Sequence, residues 1–390
     1  MGDAAARRVI AVLSASNFVI GMAAFVVIGL LDPLAGSLGL SRGGAGWVMT
    51  VYAISYALMS PILVSLTGRF GRRKVLALGM ALVGIGMGLG ALAESLPLLL
   101  AARTLAAAGA GMFTPVSVAV AAALSSERNR GVVLAAVVFG LTLAQVAGVP
   151  LGSFIAYTYG WRAAFALVSA LALVGLVLVW FGVPRGLRLT PVSLRDLARV
   201  MRDGVAMGAV LYTASFLGAI FVLYTYVAPL LTETMGFGRD EITLTLVIFG
   251  VGAVLGNMLG GWMADNLGFL RTLLLLVGGQ IVTMPLFAGL PYPEWALFAL
   301  VFLWSVLGWS FMAAQQIRLL GLAPEEASVI LALNAAAIYV GTAGGSALGG
   351  LVLEAAGLTA LGLGAGVAAL WALTHLLWSH RAAKQAGREG

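Results

Sequence analysis

Twelve apolar stretches, each long enough to cross a lipid bilayer, leave this chain little choice of architecture. They lie at about 9–31, 45–66, 75–93, 98–123, 132–157 and 163–183, and again at 205–229, 242–263, 272–290, 296–319, 328–352 and 358–379. Backbone polar groups in lipid must be satisfied internally, so each stretch is predicted to be a helix. Of 390 residues, 61% are hydrophobic and 9% charged, too little charge to cover a soluble domain. Lipid in place of water removes that discrepancy, and 52 glycines suit close helix contact there. The run after Arg7 and Arg8 exceeds a signal-peptide core and is followed by more spans of its kind. It is read as the first retained span.

A net charge of +7 would point a soluble chain toward nucleic acid. Here 18 of the 22 Lys and Arg fall in the N-terminal tail, the even-numbered turns, the central loop and the C-terminal tail. Arg69, Arg72, Arg73, Lys74, Arg128, Arg130, Arg271 and Arg318 are among them. The other face holds only Arg42, Arg162 and Arg239, while Arg103 lies within a span. That asymmetry places both termini in the cytoplasm and removes the argument for a nucleic-acid partner. Trp47, Trp161, Trp180, Trp262, Trp295 and Trp378 fall near span ends, as an interfacial belt requires.

The chain repeats itself. Pro33-Leu34, Leu38-Gly39-Leu40 and Arg42 recur as Pro229-Leu230, Met235-Gly236-Phe237 and Arg239, and Gly71 pairs with Gly268, at an offset of about 197 residues. The predicted fold is an all-α membrane protein with two pseudo-symmetric six-helix bundles, 1–183 and 205–379, a linker at 184–204 and a tail at 380–390. Parallel repeats put a pseudo-twofold axis along the membrane normal and a solute site between the halves, near the midplane. In the linker, Ser193 and Asp196 have capping-box spacing. Leu194, Leu197, Ala198 and Met201 then share one helical face and Arg195, Arg199 and Arg202 another, which predicts a short amphipathic helix on the inner membrane surface.

No Cys and two His leave no thiolate, disulfide or metal set, and no nucleophile–base pair or phosphate loop is present, so neither an enzyme nor a cofactor is expected. Between spans two and three runs Val64-Ser65-Leu66-Thr67-Gly68-Arg69-Phe70-Gly71-Arg72-Arg73-Lys74. Gly71 would permit a tight turn, and the basic cluster anchors the loop. The segment resembles the signature loop of the major facilitator superfamily, a Gly-x-x-x-Asp-Arg-x-Gly-Arg-Arg pattern that latches the two halves on the inside. Gly261, Asp265, Gly268 and Arg271 resemble its second copy. Val64 stands at the leading Gly and Gly68 at the Asp, so the resemblance implies a weakened first latch.

Arg103 heads Arg103-Thr104-Leu105, followed by Gly109 and Gly111, and resembles the family's fourth-helix motif associated with proton coupling, with Ala106 and Ala107 in place of Gln and Gly. A charge in the bilayer must face protein or water, or else snorkel to the interface, and both readings stay open. Gly140, Ala144, Gly148 and Gly152 share one face, as do Gly252, Gly256 and Gly260, and Gly341, Gly345 and Gly349. All three sets suit close helix packing. Gly148-Val149-Pro150-Leu151-Gly152 also resembles the fifth-helix antiporter motif of exporters in the superfamily.

Nearly the whole chain resembles the sugar-efflux, purine-nucleoside-efflux and chloramphenicol-resistance branch, with Tyr224-Thr225-Tyr226-Val227-Ala228-Pro229-Leu230-Leu231 and Gly160-Trp161-Arg162-Ala163 as recurrent strings. Where members often carry Glu, this chain reads Ala24, and no acid lies well inside a span. Asp32 is the nearest carboxylate for coupling, with an ordinary outer-loop role as its alternative. His375 is assigned a structural role. Gln145, Tyr226 and Asn334 are the candidates for binding solute, and Asn17, Gln280, Gln315 and Gln316 are further polar groups within spans. Each could equally bond a neighbouring helix. The resemblance implies a monomeric exporter of a small solute in a bacterial-type inner membrane, with protons as coupling partner. A proton-independent facilitator and a non-transporting sensor are the alternatives.

Overall fold

A computed structural model describes residues 3–125, 129–186 and 194–389. Among them, twelve helices are long and apolar enough to cross a membrane: Ala6–Gly29, Arg42–Leu66, Arg72–Ala91, Leu96–Leu124, Val132–Tyr159, Trp161–Gly182, Gly204–Met235, Arg239–Leu267, Phe269–Gly289, Glu294–Leu322, Val329–Ala356 and Ala360–Gln385. They are spans one to twelve below. Several run past the apolar limits read from sequence, because hydropathy marks the lipid slab while capping groups mark helix ends. Span two, for example, starts at Arg42 behind Ser41, whose hydroxyl accepts from the Gly44 amide.

Within each half the same spans pair. One packs on five and seven on eleven; three packs on six and nine on twelve. The small-residue faces make these approaches. Gly140, Gly148 and Gly152 lie against Ser14, Met22 and Val26 of span one. Gly341, Gly345 and Gly349 lie against the carbonyls of Ala214, Gly218 and Val222 in span seven, and Gly252, Gly256 and Gly260 face span ten. The halves meet along two seams, span two with eleven and span five with eight, and at Gly250 the backbone of span eight reaches the backbone of Gln145 and Val146.

Three expectations need correction. Trp161 stands at a span end but faces protein rather than headgroups; it is buried, and its indole N–H donates to Ser37 Oγ at 2.5 Å. A polar partner inside the bundle serves an indole as well as a headgroup does. Gly71 adopts φ −60° and ψ 131°, open to any residue, whereas its counterpart Gly268 sits at φ 77°, where a side chain would be strained. The linker helix, Leu194–Arg202, buries Leu197 and Val200 against spans seven, ten and eleven, while Ala198 and Met201 are exposed. Its apolar face is thus covered by protein. Ser193 and Arg128 lie outside the described residues, as do the side chains of Leu194, Arg195, Asp196 and Arg130.

Two neighbouring glycines of span eleven separate packing from propensity. A methyl at Gly345 would press on the Gly218 carbonyl and Phe221, whereas one at Gly344 meets nothing within 4 Å. Gly345→Ala is expected to destabilise the protein by about 1–3 kcal/mol. Gly344→Ala should be neutral or stabilising by about 0.4–1 kcal/mol. Thermal unfolding in detergent compares the two directly.

Candidate functional site

Spans one and seven are both broken toward the end away from the chain termini. Span one is α-helical over Asp3–Phe25, tightens into a 3-10 turn at Val26–Gly29, and the chain restarts as a helix at Leu31–Leu38. Span seven runs Gly204–Tyr224 and restarts at Val227–Met235. The cause is a repeated proline. Pro33 and Pro229 each stand third in the restarted helix, and proline disrupts the carbonyl four residues earlier, here Gly29 and Thr225.

Carbonyls freed in lipid need partners. Ser153 of span five donates to the Gly29 carbonyl at 2.8 Å. Arg103 takes the turn before it: Nη1 donates to Ala23 O at 2.5 Å, Nη2 to Ala24 O at 3.2 Å, and Nε to Val48 O at 3.4 Å. Its guanidinium lies 4.1 Å from the Tyr52 ring centroid and is 1% exposed. A cation at the negative end of a helix dipole, with π density below it, is stabilised without a carboxylate. Arg103 therefore does not snorkel; it caps a broken helix inside the first half. At the break in span seven, hydroxyls tie the chain to span eleven instead of bonding a freed carbonyl. Thr225 Oγ1 and Ser346 Oγ lie 2.6 Å apart, and Tyr226 donates to the Ser346 carbonyl at 2.9 Å.

Between the breaks the halves meet through aromatic rings. Phe25 stacks on Phe221 at 6.2 Å and Tyr56 on Tyr339 at 3.6 Å between centroids. Tyr224 stacks on Phe249 at 4.0 Å with Trp304 edge-on. Gln145 lies on this seam, in a π-helical turn at Ala144–Gly148 that directly precedes Val149-Pro150. Proline again explains the irregularity. The Gln145 side chain is buried, and Oε1 has no hydrogen-bond partner. Gly140, Gly148 and Gly152 of the proposed antiporter motif hold this turn against broken span one.

Other polar candidates are committed within their own halves. Asn17 donates to Ser117 Oγ and accepts from Thr114. Asn334 accepts from Thr213 at 2.6 Å, and Gln315 donates to Thr213 and to the Ala209 carbonyl. Gln280 donates to Trp304 O, and Gln316 is exposed. His375 bridges Ser215 Oγ, 2.7 Å from Nδ1, and the Gly208 carbonyl, 3.0 Å from Nε2, tying span twelve to span seven.

At the end away from the chain termini, the repeated arginines reach across the seams. Arg42 donates to Asp32 in its own half at 2.9 Å and to Glu233 in the other at 2.5 Å. Arg239 pairs with Asp240, reaches Thr158 Oγ1 at 3.3 Å and covers the Phe154 ring at 4.7 Å. Beneath, Gly43, Thr50, Tyr226, Ser346, Gly350 and Glu354 line a cavity of about 30 Å³, the size of one water. The signature loops lie at the termini end. Arg69, Asp265 and Arg271 are exposed, and among the described residues none forms an ion pair. Arg73 bonds the Trp180 carbonyl and covers its ring, within the first half. Arg72 is buried, and Gly68 sits in the turn that follows span two.

Sequence reading missed the aromatic seam and Glu233. Tyr52 and Tyr56 are spaced for one helical face, but aromatics in an apolar span carry no signal of which neighbour they meet. The breaks were foreshadowed by the paired prolines.

Comparison with known proteins follows the same lines. The sequence profile described as Major Facilitator Superfamily matches residues 13–325 and, a second time, 227–390. The uncharacterised MFS-type transporter YbcL of Bacillus subtilis is 32% identical over 356 residues, 90% of each chain. A probable sugar efflux transporter of Helicobacter pylori is 27% identical over 364 residues, 93% of this chain and 92% of its own. A solved bacterial homolog of the human lysosomal transporter Spinster, in an inward-facing and occupied conformation, superposes with a TM-score of 0.78 at 16% identity over 98% of both chains.

The cap on span one is open to test. Arg103→Met leaves the carbonyls of Ala23 and Ala24 without donors, each such loss costing about 1–3 kcal/mol. Thermal stability should fall accordingly. Arg103→Lys retains the charge without the planar fork and should recover only part of the loss. Equal melting temperatures for all three proteins would remove Arg103 from this role.

Proposed function

The chain belongs to the major facilitator superfamily of multi-pass membrane transporters, and we propose that it exports a small neutral or weakly charged solute by alternating access, in exchange for protons. The observation that carries this reading is the inequality of the two ends. One is joined across both seams by Arg42 with Glu233 and by Arg239 with Thr158, while Arg69, Asp265 and Arg271 at the other are exposed and form no ion pair among the described residues. The Arg42 pair is partly exposed, so it contributes only about 0–1 kcal/mol. A gate that must open in every cycle calls for a contact of that size.

The basic residues at the termini end put that end in the cytoplasm of a bacterial-type inner membrane. The solute would enter there, lodge near Gln145, Tyr226 and the aromatic seam, and leave past Arg42. Rings and one free amide acceptor suit a sugar, a nucleoside or a drug-like molecule. The H. pylori relative, a probable sugar efflux transporter, and the resemblance of the glycine motif beside Gln145 to that of antiporters favour export. Asp32 is the proposed coupling group, its Oδ2 buried and without a hydrogen-bond partner. A proton-independent facilitator is the second reading, favoured by the engagement of that carboxylate with Arg42.

Inside-out vesicles with an energised proton gradient and a pH-sensitive dye distinguish the two. Proton release on adding one of a panel of sugars, nucleosides and phenicols is expected, and its loss in Asp32→Asn. A solute carried as label without any proton signal would establish the facilitator.

The gate is tested separately. The chain has no cysteine, so Thr50→Cys provides a single buried reporter below the seal. Arg42→Gln should raise its labelling by an impermeant maleimide from outside several-fold. Gly68→Asp, which completes the first signature loop, should shift labelling in the same direction by favouring closure at the termini end.

A further inference from the structure

Arg318, near the end of span ten, is a cation with no exposed side-chain surface. Such a charge needs compensation, and here the counterion that supplies it lies in no span. Span twelve closes at the termini end in a Schellman turn. Arg388 N–H bonds Ala383 O, Gly387 N–H bonds Lys384 O, and Gly387 sits at φ 69°, where glycine is at ease. The turn sends the following residues back onto the bundle. Glu389 Oε1 accepts from Arg318 Nε at 2.7 Å, its Oε2 contacts His380 Nδ1, and its side chain is 3% exposed. Arg318 Nη2 donates to Ser379 Oγ at 3.1 Å.

The neighbouring Arg388 pairs with Asp203, which caps span seven by accepting from the amides of Val205 and Ala206. Burial works against the ionised Asp203, yet Arg388 and those amides hold its carboxyl below the usual range. Asp203 also ends the linker, whose Leu197 and Val200 pack in one cluster with Leu319, Leu322 and Ala383. The site is not saturated by Glu389. Arg318 Nη1 is buried and has no hydrogen-bond partner.

We propose that Arg318, Ser379 and His380 form a carboxylate-binding site, filled in cis by Glu389, and that residues 386–389 thereby act as a strap fastening the linker to the second half. The ligand class is a small carboxylate, which Arg318 Nε and the His380 imidazole bind, with Ser379 holding the guanidinium in place and the unpartnered Nη1 as a further donor. A carboxylate solute at the termini end that displaces Glu389 would release the strap from outside the transport path.

The test uses the full chain in detergent, with sodium acetate titrated against sodium chloride at equal ionic strength. Glu389→Ala should lower the melting temperature by several degrees. Acetate should restore it in a saturable way, with chloride doing nothing, and Arg318→Gln in the same background should abolish the recovery. Where Glu389→Ala does not fold, Glu389→Asp replaces it, with a smaller loss and a partial acetate recovery expected. An unchanged melting temperature in Glu389→Ala, or acetate and chloride acting alike, overturns the proposal.

Discussion

The rest of this structure depends on the requirement that every backbone carbonyl in lipid find a donor. An unbroken helix meets it automatically, as most of the spans do. Spans one and seven forgo that security because of Pro33 and Pro229. In span one the donors come from elsewhere, Ser153 of span five and Arg103 of span four, while at the break in span seven Thr225 and Tyr226 are tied through their hydroxyls to Ser346 of span eleven. Each set of bonds stitches a broken span to a neighbour in its own half. The irregular backbone and the site it borders are thus one feature. A proline that merely bent a helix would need no arginine three spans away.

Interaction strengths divide by location. Contacts inside each half are close and numerous in kind, backbone against backbone at the glycine faces, with buried hydroxyls bonded to carbonyls. Between the halves at the sealed end the polar contacts are one partly exposed ion pair, Arg42 with Glu233, of small net value, and the hydrogen bond of Arg239 to Thr158. A rigid-body rearrangement needs this ordering, since a half that deforms more easily than its seam opens would dissipate the motion. The aromatic stack of Tyr56 on Tyr339 occupies the seam between spans two and eleven rather than a bundle interior.

The twelve-span architecture was legible in sequence because lipid imposes a long, simple hydropathy signal, and the repeat was legible because Pro33, Gly39 and Arg42 return with their spacing intact. Less could be read of which face meets what. Trp161 near a span end looked like a belt residue, yet a hydroxyl on Ser37 had already claimed its N–H. The linker helix was assigned its apolar face correctly at Leu197 but not at Met201, since Val200 rather than Met201 turns toward spans ten and eleven. For the candidate site, Arg103 and Gln145 were visible as polar groups in apolar runs. Glu233 was not, because its partner Arg42 lies 191 residues away and only the closed seam joins them.

The repeat also makes the differences between halves informative. Its geometry is common to both, down to the two prolines and the two gate arginines, so polar residues without a counterpart mark what each half does alone. In the first half Arg103 is buried in the bundle and bonded to the backbone beside the break in span one. In the second half Arg318 is buried near the end of span ten and is matched by Glu389 from outside the span set. One buried cation is thus compensated by backbone carbonyls and a ring, the other by a carboxylate that the spans themselves do not supply. The first ties its charge to a helix break, the second to the chain beyond the bundle.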